Sequence, residues 1–432
     1  MQKHVVVIGA GFAGLAAVRE LLDHPEVRLT LVDRHNYHLF VPLLYQVAIA
    51  GLEAPEIAHP ARDVLRDHPD ASFVLGEVRR IDREKHIVHV DDEPLPYDYL
   101  IVASGSQTNT LGVDGVVENA TGLKSVADAM GIRDRILSAC EEAAHLTDPD
   151  RVGSLLTFTI VGGGPTGVEL AGALAEIRKK MLPRYYPEID PNLYRVVLVD
   201  SSARIVSMLS EGSSAYAEKT LAGLGVELRL NTRISEVTPL GVRTEDGEFI
   251  DSLNTIWAAG VTGSPVDGLT ETEAGNRVPT TPLLTLEGDS RVYVAGDVNG
   301  YVPPKQEKPY PQVAPMATQQ GEHAAKNILR DIRGQKLKRF RYRDRGSMVT
   351  VGRGRAVAEL GPVKITGFPA WFAWLAIHLL KLSGGRNRVL VLISWLHGYV
   401  TYDFAVRVLH RRHRFPRKEG TSENKEFEQV EE

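Results

Sequence analysis

Two glycine clusters carry the chemistry open to this sequence. Gly9-x-Gly11-x-x-Gly14 follows an apolar, β-branched run at residues 4–8, and Gly162-x-Gly164-x-x-Gly167 follows another at 156–161. In such a cluster the first glycine permits a tight turn, the second lets backbone approach a pyrophosphate, and the third lets helix and strand pack closely. The helix that opens next offers unpaired N–H groups and a positive dipole end to phosphate. Each cluster has an acid ending a later strand-like run: Asp33, 19 residues past Gly14, and Asp200, 33 residues past Gly167. A carboxylate there accepts from ribose hydroxyls. At Asp200 it also repels a 2′-phosphate, favouring NADH over NADPH, with the nearby Arg204 working against that preference. Two cradles imply two dinucleotides, and the simplest chemistry needing both is hydride transfer between a nicotinamide and a flavin. The competing reading is a degenerate duplicate that only supports the fold.

Positioning these residues takes strand, glycine turn, helix and second strand, the βαβ unit. Residues 4–8, 15–22 and 27–32 supply it for the first cluster, and 156–161, 168–180 and 196–199 for the second. Pro183, Pro187 and Pro191 interrupt the second unit before its last strand, which explains the longer spacing. Strand-like runs at 73–77, 86–90 and 99–102 read as a meander in the first unit, leading back to a central strand at 100–103. Residues 226–256 repeat that plan and run into Trp257-Ala258-Ala259-Gly260. The pattern is an internal duplication, not a solenoid. A late strand at 291–295 ends in Gly296-Asp297, which can set a carboxylate and N–H groups beside a ribityl chain and pyrophosphate; it belongs with the first cradle. The chain then divides into a first domain at 1–117, a polar helical bridge at 118–150 and a second domain at 151–270. The first domain returns at 271–345, followed by a C-terminal region at 346–418 and a disordered tail at 419–432.

Composition narrows the function classes. The 432 residues are 43% hydrophobic and 24% charged, with formal net charge −5, so nothing argues for nucleic acid. A single cysteine, Cys140, excludes a disulfide scaffold and a redox-active cysteine pair. The 14 histidines show no ligand spacing, so no metal is expected. No signal peptide is expected either, since no basic segment and long apolar stretch open the chain. From about residue 365 the character changes. Apolar runs at 368–382 and 389–400 are 15 and 12 residues long, short of the about 20 that span a bilayer. Trp371, Phe372, Trp374, Trp395 and Tyr399 suit a headgroup interface. Lys381, Arg386, Arg388, Arg407, Arg411, Arg412, Arg414, Arg417 and Lys418 flank the runs. This predicts amphipathic elements on an anionic membrane surface, with a dimer interface or a buried helix pair as the alternative.

The order of the first cradle, Ala103-Ser104-Gly105, the second cradle, residues 257–260 and Gly296-Asp297 resembles that of pyridine-nucleotide–disulfide-reductase-like flavoproteins, over nearly the whole chain. Within them the chain is most similar to type II NADH dehydrogenases, the single-subunit, non-proton-pumping NADH:quinone oxidoreductases. Pro42-Leu43-Leu44-Tyr45-Gln46-Val47-Ala48 and residues 163–172, 314–327, 340–348 and 367–407 carry that likeness; soluble reductases lack the last. The resemblance implies an α/β fold of two Rossmann-like domains, each with a meander insert, and a C-terminal amphipathic helical membrane anchor. It implies FAD at Gly9, Ala10, Gly11, Gly14, Asp33, Arg34, Val78, Ala103, Ser104, Gly105, Gly296, Asp297 and Ala317. Ser104 stands where threonine is commoner and keeps the hydroxyl. NADH is implied at Gly162, Gly164, Pro165, Thr166, Gly167, Asp200, Ala259 and Gly260.

Glu169 and Gln319 are the candidate catalytic residues. Glu169, in the first turn of the second cradle helix, is expected at the mouth where the nicotinamide lies; complementing the helix dipole is the alternative. The segment 314–321 precedes an expected amphipathic helix at 322–333 and is implied to pass beneath the flavin and shape a quinone slot. There Gln319 can donate to a quinone carbonyl or the flavin edge, with a polar residue of a helix N-terminus facing water as the alternative, and Gln320 is a further candidate for the quinone site. Leu43, Leu44 and Tyr45 are candidates for its apolar wall, with core packing as the alternative. Pro315 replaces a glutamine that some members carry. The resemblance further implies peripheral attachment at the cytoplasmic face of the inner membrane, a membrane quinone as partner, and a homodimer. The rivals are an NADH-dependent reductase of a soluble carrier, which needs no amphipathic tail, and a flavin-bearing sensor without turnover. A sulfide–quinone oxidoreductase, similar in fold, is disfavoured by the lone cysteine.

Overall fold

Strands buried at successive positions, rather than at alternate ones, are covered on both faces. Lys3–Ile8 is buried at all but its first residue and Thr157–Val161 throughout. The computed structural model describes residues 2–269, 272, 275–401 and 407–416, and it makes these two strands the centres of two sheets. The first runs Thr285–Leu286, Asp289–Val294, Tyr99–Val102, Lys3–Ile8, Val27–Asp33 and Ala71–Leu75, parallel except at its first pair. The second runs Ala120–Thr121, Asn254–Trp257, Thr157–Val161, Arg195–Val199 and Val226–Arg229, parallel throughout.

Register brings the site residues together. Ile8 stands opposite Val32 and Val102, and Val102 opposite Val294. Gly9, Asp33, Ala103 and Ala295 therefore leave the first sheet at one edge. Val161 stands opposite Val199 and Trp257, so Gly162, Asp200 and Ala258 leave the second sheet likewise. In both, strand order reverses beside the central strand, and the crevice for a ligand lies outside the carboxyl ends at that point.

Three sequence expectations change. Ala71–Leu75 is not the start of the first meander but the parallel edge strand of the first sheet, and Val226–Arg229 has the same place in the second. The meanders themselves are Val78–Asp82, Ile87–Val90 and Glu93–Pro96, then Ile234–Thr238, Gly241–Thr244 and Phe249–Asp251. A short edge strand, exposed on part of its surface, carries no local mark of its partner's direction. The bridge is also not a polar connector. Val126–Ala143, opened by a reciprocal Ser125–Asp128 cap, buries Ile132, Ile136, Leu137, Ala139 and Cys140, and Ala120–Thr121 before it joins the second sheet.

The C-terminal region begins with an antiparallel sheet, Ser347–Thr350, Ala356–Leu360 and Val363–Gly367. It sits against the second cradle helix, Pro165–Lys180, so closely that a Cβ on Gly172 would fall 2.5 Å from the Gly352 nitrogen. Two helices follow, Phe368–Lys381 and Gly385–Thr401. Phe368, Phe372, Leu380, Leu396 and Val400 are exposed on them. Trp374 and Trp395 correct the expectation of an interfacial belt: they are 1% and 6% exposed and face the core. Residues 407–416 return over the bridge helix, where Asp134 accepts from the His410 and Arg411 N–H groups and Ser138 from that of His413. Among the described residues no helix is long and apolar enough to cross a membrane. Arg417, Lys418 and the tail expected to be disordered lie outside the described residues.

Candidate active site

The two glycine turns share one geometry. Gly9 and Gly162 have φ of +98° and +115°, a region that suits glycine. A Cβ on Gly9 would lie 2.3 Å from the Ala103 carbonyl oxygen, and one on Gly162 2.4 Å from the Ala258 carbonyl. On Gly14 and Gly167 it would meet the Gly9 and Gly162 oxygens at 1.7 and 1.9 Å. Gly11 and Gly164 differ, because nothing lies within 4 Å of a Cβ built there. No side chain caps the helices Phe12–Leu21 and Pro165–Lys180, so their first N–H groups remain for an anion. A dinucleotide fits both turns: the glycine that needs no room for packing is the one facing open space.

Asp33 and Asp200 brace these turns. The Ala10 N–H donates to Asp33 Oδ2 at 2.6 Å and the Gly163 N–H to Asp200 Oδ2 at 2.5 Å. Their other oxygens accept from the His35 and Ser202 N–H groups, each at 2.7 Å. Arg204 donates to the carbonyls of Ser207 and Leu209 and to Ser214 Oγ. Its guanidinium is thus held in its own loop. Arg34 is exposed beside Asp33, and Val78 is half-buried at the start of the first meander. At the second edge Pro165 opens the helix, Thr166 and Gly260 are exposed, and Ala259 is half-buried.

Later segments close over the first turn. Ser104 Oγ donates to the Ser264 carbonyl at 2.6 Å, beside Ala103 and Gly105. Gly296 packs against Ala13 and Ala317. Ser106 Oγ donates to Asp297 Oδ2 at 2.6 Å and accepts from Lys124 Nζ at 2.9 Å. Burial holds the Lys124 ammonium below its usual pKa, with Asp297 opposing. Lys124 had no sequence signal; only the strand at 120–121 brings it here. His38, also unforeseen, donates from Nδ1 to the Ala10 carbonyl at 2.8 Å, and burial pushes its pKa down to about 4, so it is neutral.

The two glutamines have different surroundings, and Gln320 departs from expectation. The helix carrying them, Ala314–Ile332, begins eight residues before the expected start at 322, because Pro315 in its first turn opens a helix rather than breaking one. Gln320 is fully buried: its Oε1 accepts from the Gly296 N–H at 2.7 Å and its Nε2 donates to Asn299 Oδ1 at 3.2 Å. It supports the Gly296-Asp297 turn from beneath and faces no slot. Gln319 pairs with Arg343 backbone as a strand would, accepting the N–H and donating to the carbonyl, each at 3.0 Å. Both ends of that amide are engaged.

Glu169 points toward the C-terminal sheet, not toward the second cradle alone. Its Oε1 accepts from the Thr350 N–H at 3.3 Å and from Thr350 Oγ1 at 3.4 Å. Thr350 Oγ1 lies 3.1 Å from the Tyr45 hydroxyl, which accepts from Gln46 Nε2 at 3.1 Å; Gln46 Oε1 accepts from Trp395 Nε1 at 2.7 Å. Burial pushes the Glu169 carboxyl up to about 8, against the Thr350 hydrogen bonds. A cavity of about 80 Å³ opens here, lined by Tyr45, Gln46, Glu169, Thr350, Trp371 and Tyr399 among others. Leu43 and Leu44, 0% and 1% exposed, pack in the core and line none of it, whereas Tyr45 does.

Two braced glycine turns on two parallel sheets in one chain define the class. Residues 3–321 match the pyridine nucleotide-disulphide oxidoreductase family. The chain is 37% identical over 411 residues to the type II NADH:quinone oxidoreductase Ndh of Mycobacterium tuberculosis, covering 91% of this chain and 87% of that one. It is 31% identical over 380 residues to the type II NADH:quinone oxidoreductase of Staphylococcus haemolyticus, covering 86% and 93%. The chain belongs to the type II NADH:quinone oxidoreductases within the pyridine nucleotide-disulphide oxidoreductases. In fold it is similar to NDH2 from Plasmodium falciparum in complex with NADH, with TM-score 0.86 at 18% identity over 95% of this chain and 100% of that one. The sulfide:quinone oxidoreductase of Aquifex aeolicus follows at TM-score 0.72 and 19% identity, over 94% and 96%.

Proposed function

We propose that this protein takes a hydride from NADH onto a bound FAD and passes two electrons to a membrane quinone, without moving protons across the membrane. The observation that carries the reading is the duplicated turn, open only at Gly11 and Gly164. FAD, when bound, supplies the two-electron carrier between donor and acceptor. The first cradle, with Gly296 and Ala317 packed beside its helix at Ala13, suits a resident nucleotide, and the second, with Thr166 and Gly260 exposed, suits one that comes and goes. Asp297, Ser106 and Lys124 order polar groups at the first edge. Glu169, raised toward neutrality, holds a proton on the side where Tyr45 and the C-terminal helices wall the cavity. That location supports a role toward the acceptor. The exposed apolar side chains of the last two helices, with Lys381, Arg386 and Arg388 exposed among them, support attachment to an anionic membrane surface on the side of the NADH pool.

The test is anaerobic. NADH should bleach the yellow protein, and a short-chain quinone should restore the colour within one turnover. Bleaching without recolouring would leave a sensor, and a folded protein that takes up no FAD would end the reading.

A further inference from the structure

Glu169, Ala173 and Glu176 are spaced i, i+4 and i+7 on the helix Pro165–Lys180, so they share one face. All three line the cavity beneath the C-terminal helices. Glu169, half-buried, lines it beside Thr350 and Tyr45. Glu176, two helical turns on, keeps 21% of its side chain exposed. Its Oε1 accepts from the Arg353 N–H at 2.5 Å, and Arg353 Nε stands 4.0 Å from Oε2. Arg353 also donates to the Gly398 carbonyl at 3.0 Å and lies 4.7 Å over the Tyr399 ring, tying the mouth to the last helix. Ala173, between the two carboxyl groups, is small enough to leave the passage open. A space of about 80 Å³ has room for water, and Glu169, Glu176, Tyr45 and Thr350 offer it hydrogen-bond partners.

Quinone reduction by NADH consumes a proton that the hydride does not bring: NADH + H⁺ + quinone gives NAD⁺ + quinol. The outer face of the C-terminal helices is apolar at Phe368, Phe372, Leu380 and Leu396, so that proton needs a polar way in. We propose that Glu176 is the entry of a proton path running along this helix face, through cavity water, to Glu169, with Arg353 as the residue that positions Glu176 at the mouth. The proposal rests on the quinone-reductase reading above. Glu169 gives its proton to the quinone oxygen and regains one from the Glu176 side, so neither carboxyl changes over a turnover. Facing Glu176 are Arg353 and Arg355 from the turn of the C-terminal sheet, Lys180 on its own helix and Tyr399 on the last helix. Tyr45, Thr350 and Trp374 face Glu169. Burial raises both carboxyl groups, and the cations oppose it at Glu176.

The experiment compares Glu176→Gln, Glu176→Asp and Ala173→Leu, which plugs the passage without touching a charge, in the full-length FAD-loaded protein. Quinone-dependent kcat should fall roughly tenfold or more in the Gln and Leu variants, while NADH bleaches the flavin at its normal rate. Formate should restore part of the Gln loss, and Asp should keep most activity. Independently of turnover, the infrared C=O band of Glu169, assigned through Glu169→Gln, should regain its proton more slowly after a pH jump in Glu176→Gln. Unchanged quinone kcat and an unchanged infrared response would overturn the path, as would equal losses in bleaching and quinone steps. If the wild type never recolours with quinone, the functional reading falls, and the infrared response still decides whether the path exists.

Discussion

A carboxyl group that must release a proton near neutrality needs a pKa near the working pH, and burial is what raises Glu169 to about 8. The same shift leaves a stability signature. Folded Glu169 holds its proton more tightly than the unfolded side chain, with its ordinary value of 4.5, so the stability it confers is full below pH 4.5 and is lost as pH rises through about 8. Glu169→Gln removes that slope. Its stability relative to wild type should improve between pH 5 and pH 9 by on the order of 2 kcal/mol, read by chemical denaturation at each pH. A difference that stays flat across that range would mean the group is ionised throughout. Asp200 sets a second expectation. Arg204 is tied to Ser207, Leu209 and Ser214, and among the described residues no ion pair joins it to Asp200. Asp200→Asn keeps an acceptor for the Gly163 N–H and removes the charge. The ratio of kcat/KM for NADPH to that for NADH should rise about tenfold, the equivalent of about 1.4 kcal/mol. The glycines and their braces were readable in the sequence because a tight turn and its acid are local demands. The partners of Gln319 and Gln320, Arg343 and Gly296, carried no such local mark, being 24 residues away on either side of the chain's path.

Helices show where such reading stops. The runs at 368–382 and 389–400 are apolar nearly all round, so no period separates an inward from an outward side. Trp374 and Trp395 turn inward because the core offers them a place, Trp395 by donating to Gln46, whereas Phe372 and Leu396 find no partner and stay exposed. That partner stands some 350 residues earlier, beyond any local pattern. The division predicts two kinds of mutant. Phe372→Asp with Leu396→Asp should lower affinity for anionic vesicles by about 100-fold or more, since each buried side chain is worth about 1.5–3 kcal/mol, and should leave reduction of a water-soluble quinone intact. Trp374→Ala should instead destabilise the fold by about 3–5 kcal/mol, seen in denaturant midpoints. Equal vesicle binding by the double mutant would assign the exposed face to something other than lipid.

Across the whole molecule, duplication of one unit makes the two nucleotide sites separable by equivalent substitutions. Gly11 and Gly164 have φ of −71° and −72°, ordinary for any residue, and open space where a Cβ would stand. A valine at either position should leave the fold intact and fill only the volume a phosphate needs. Gly14 and Gly167 are the contrast, because a side chain there strikes a carbonyl below 2 Å and breaks the packing of helix on strand. Gly11→Val should therefore give a folded, colourless protein that oxidises no NADH. Gly164→Val should give a yellow protein with a KM for NADH raised at least about tenfold, whose flavin, once reduced by dithionite, is still reoxidised by quinone. Flavin absorbance, thermal melting and the dithionite experiment on the two variants form one comparison. If both lose the flavin, or Gly164→Val alone does, the assignment of resident and exchanging nucleotides to the two sheets is wrong, even though the duplicated architecture stands.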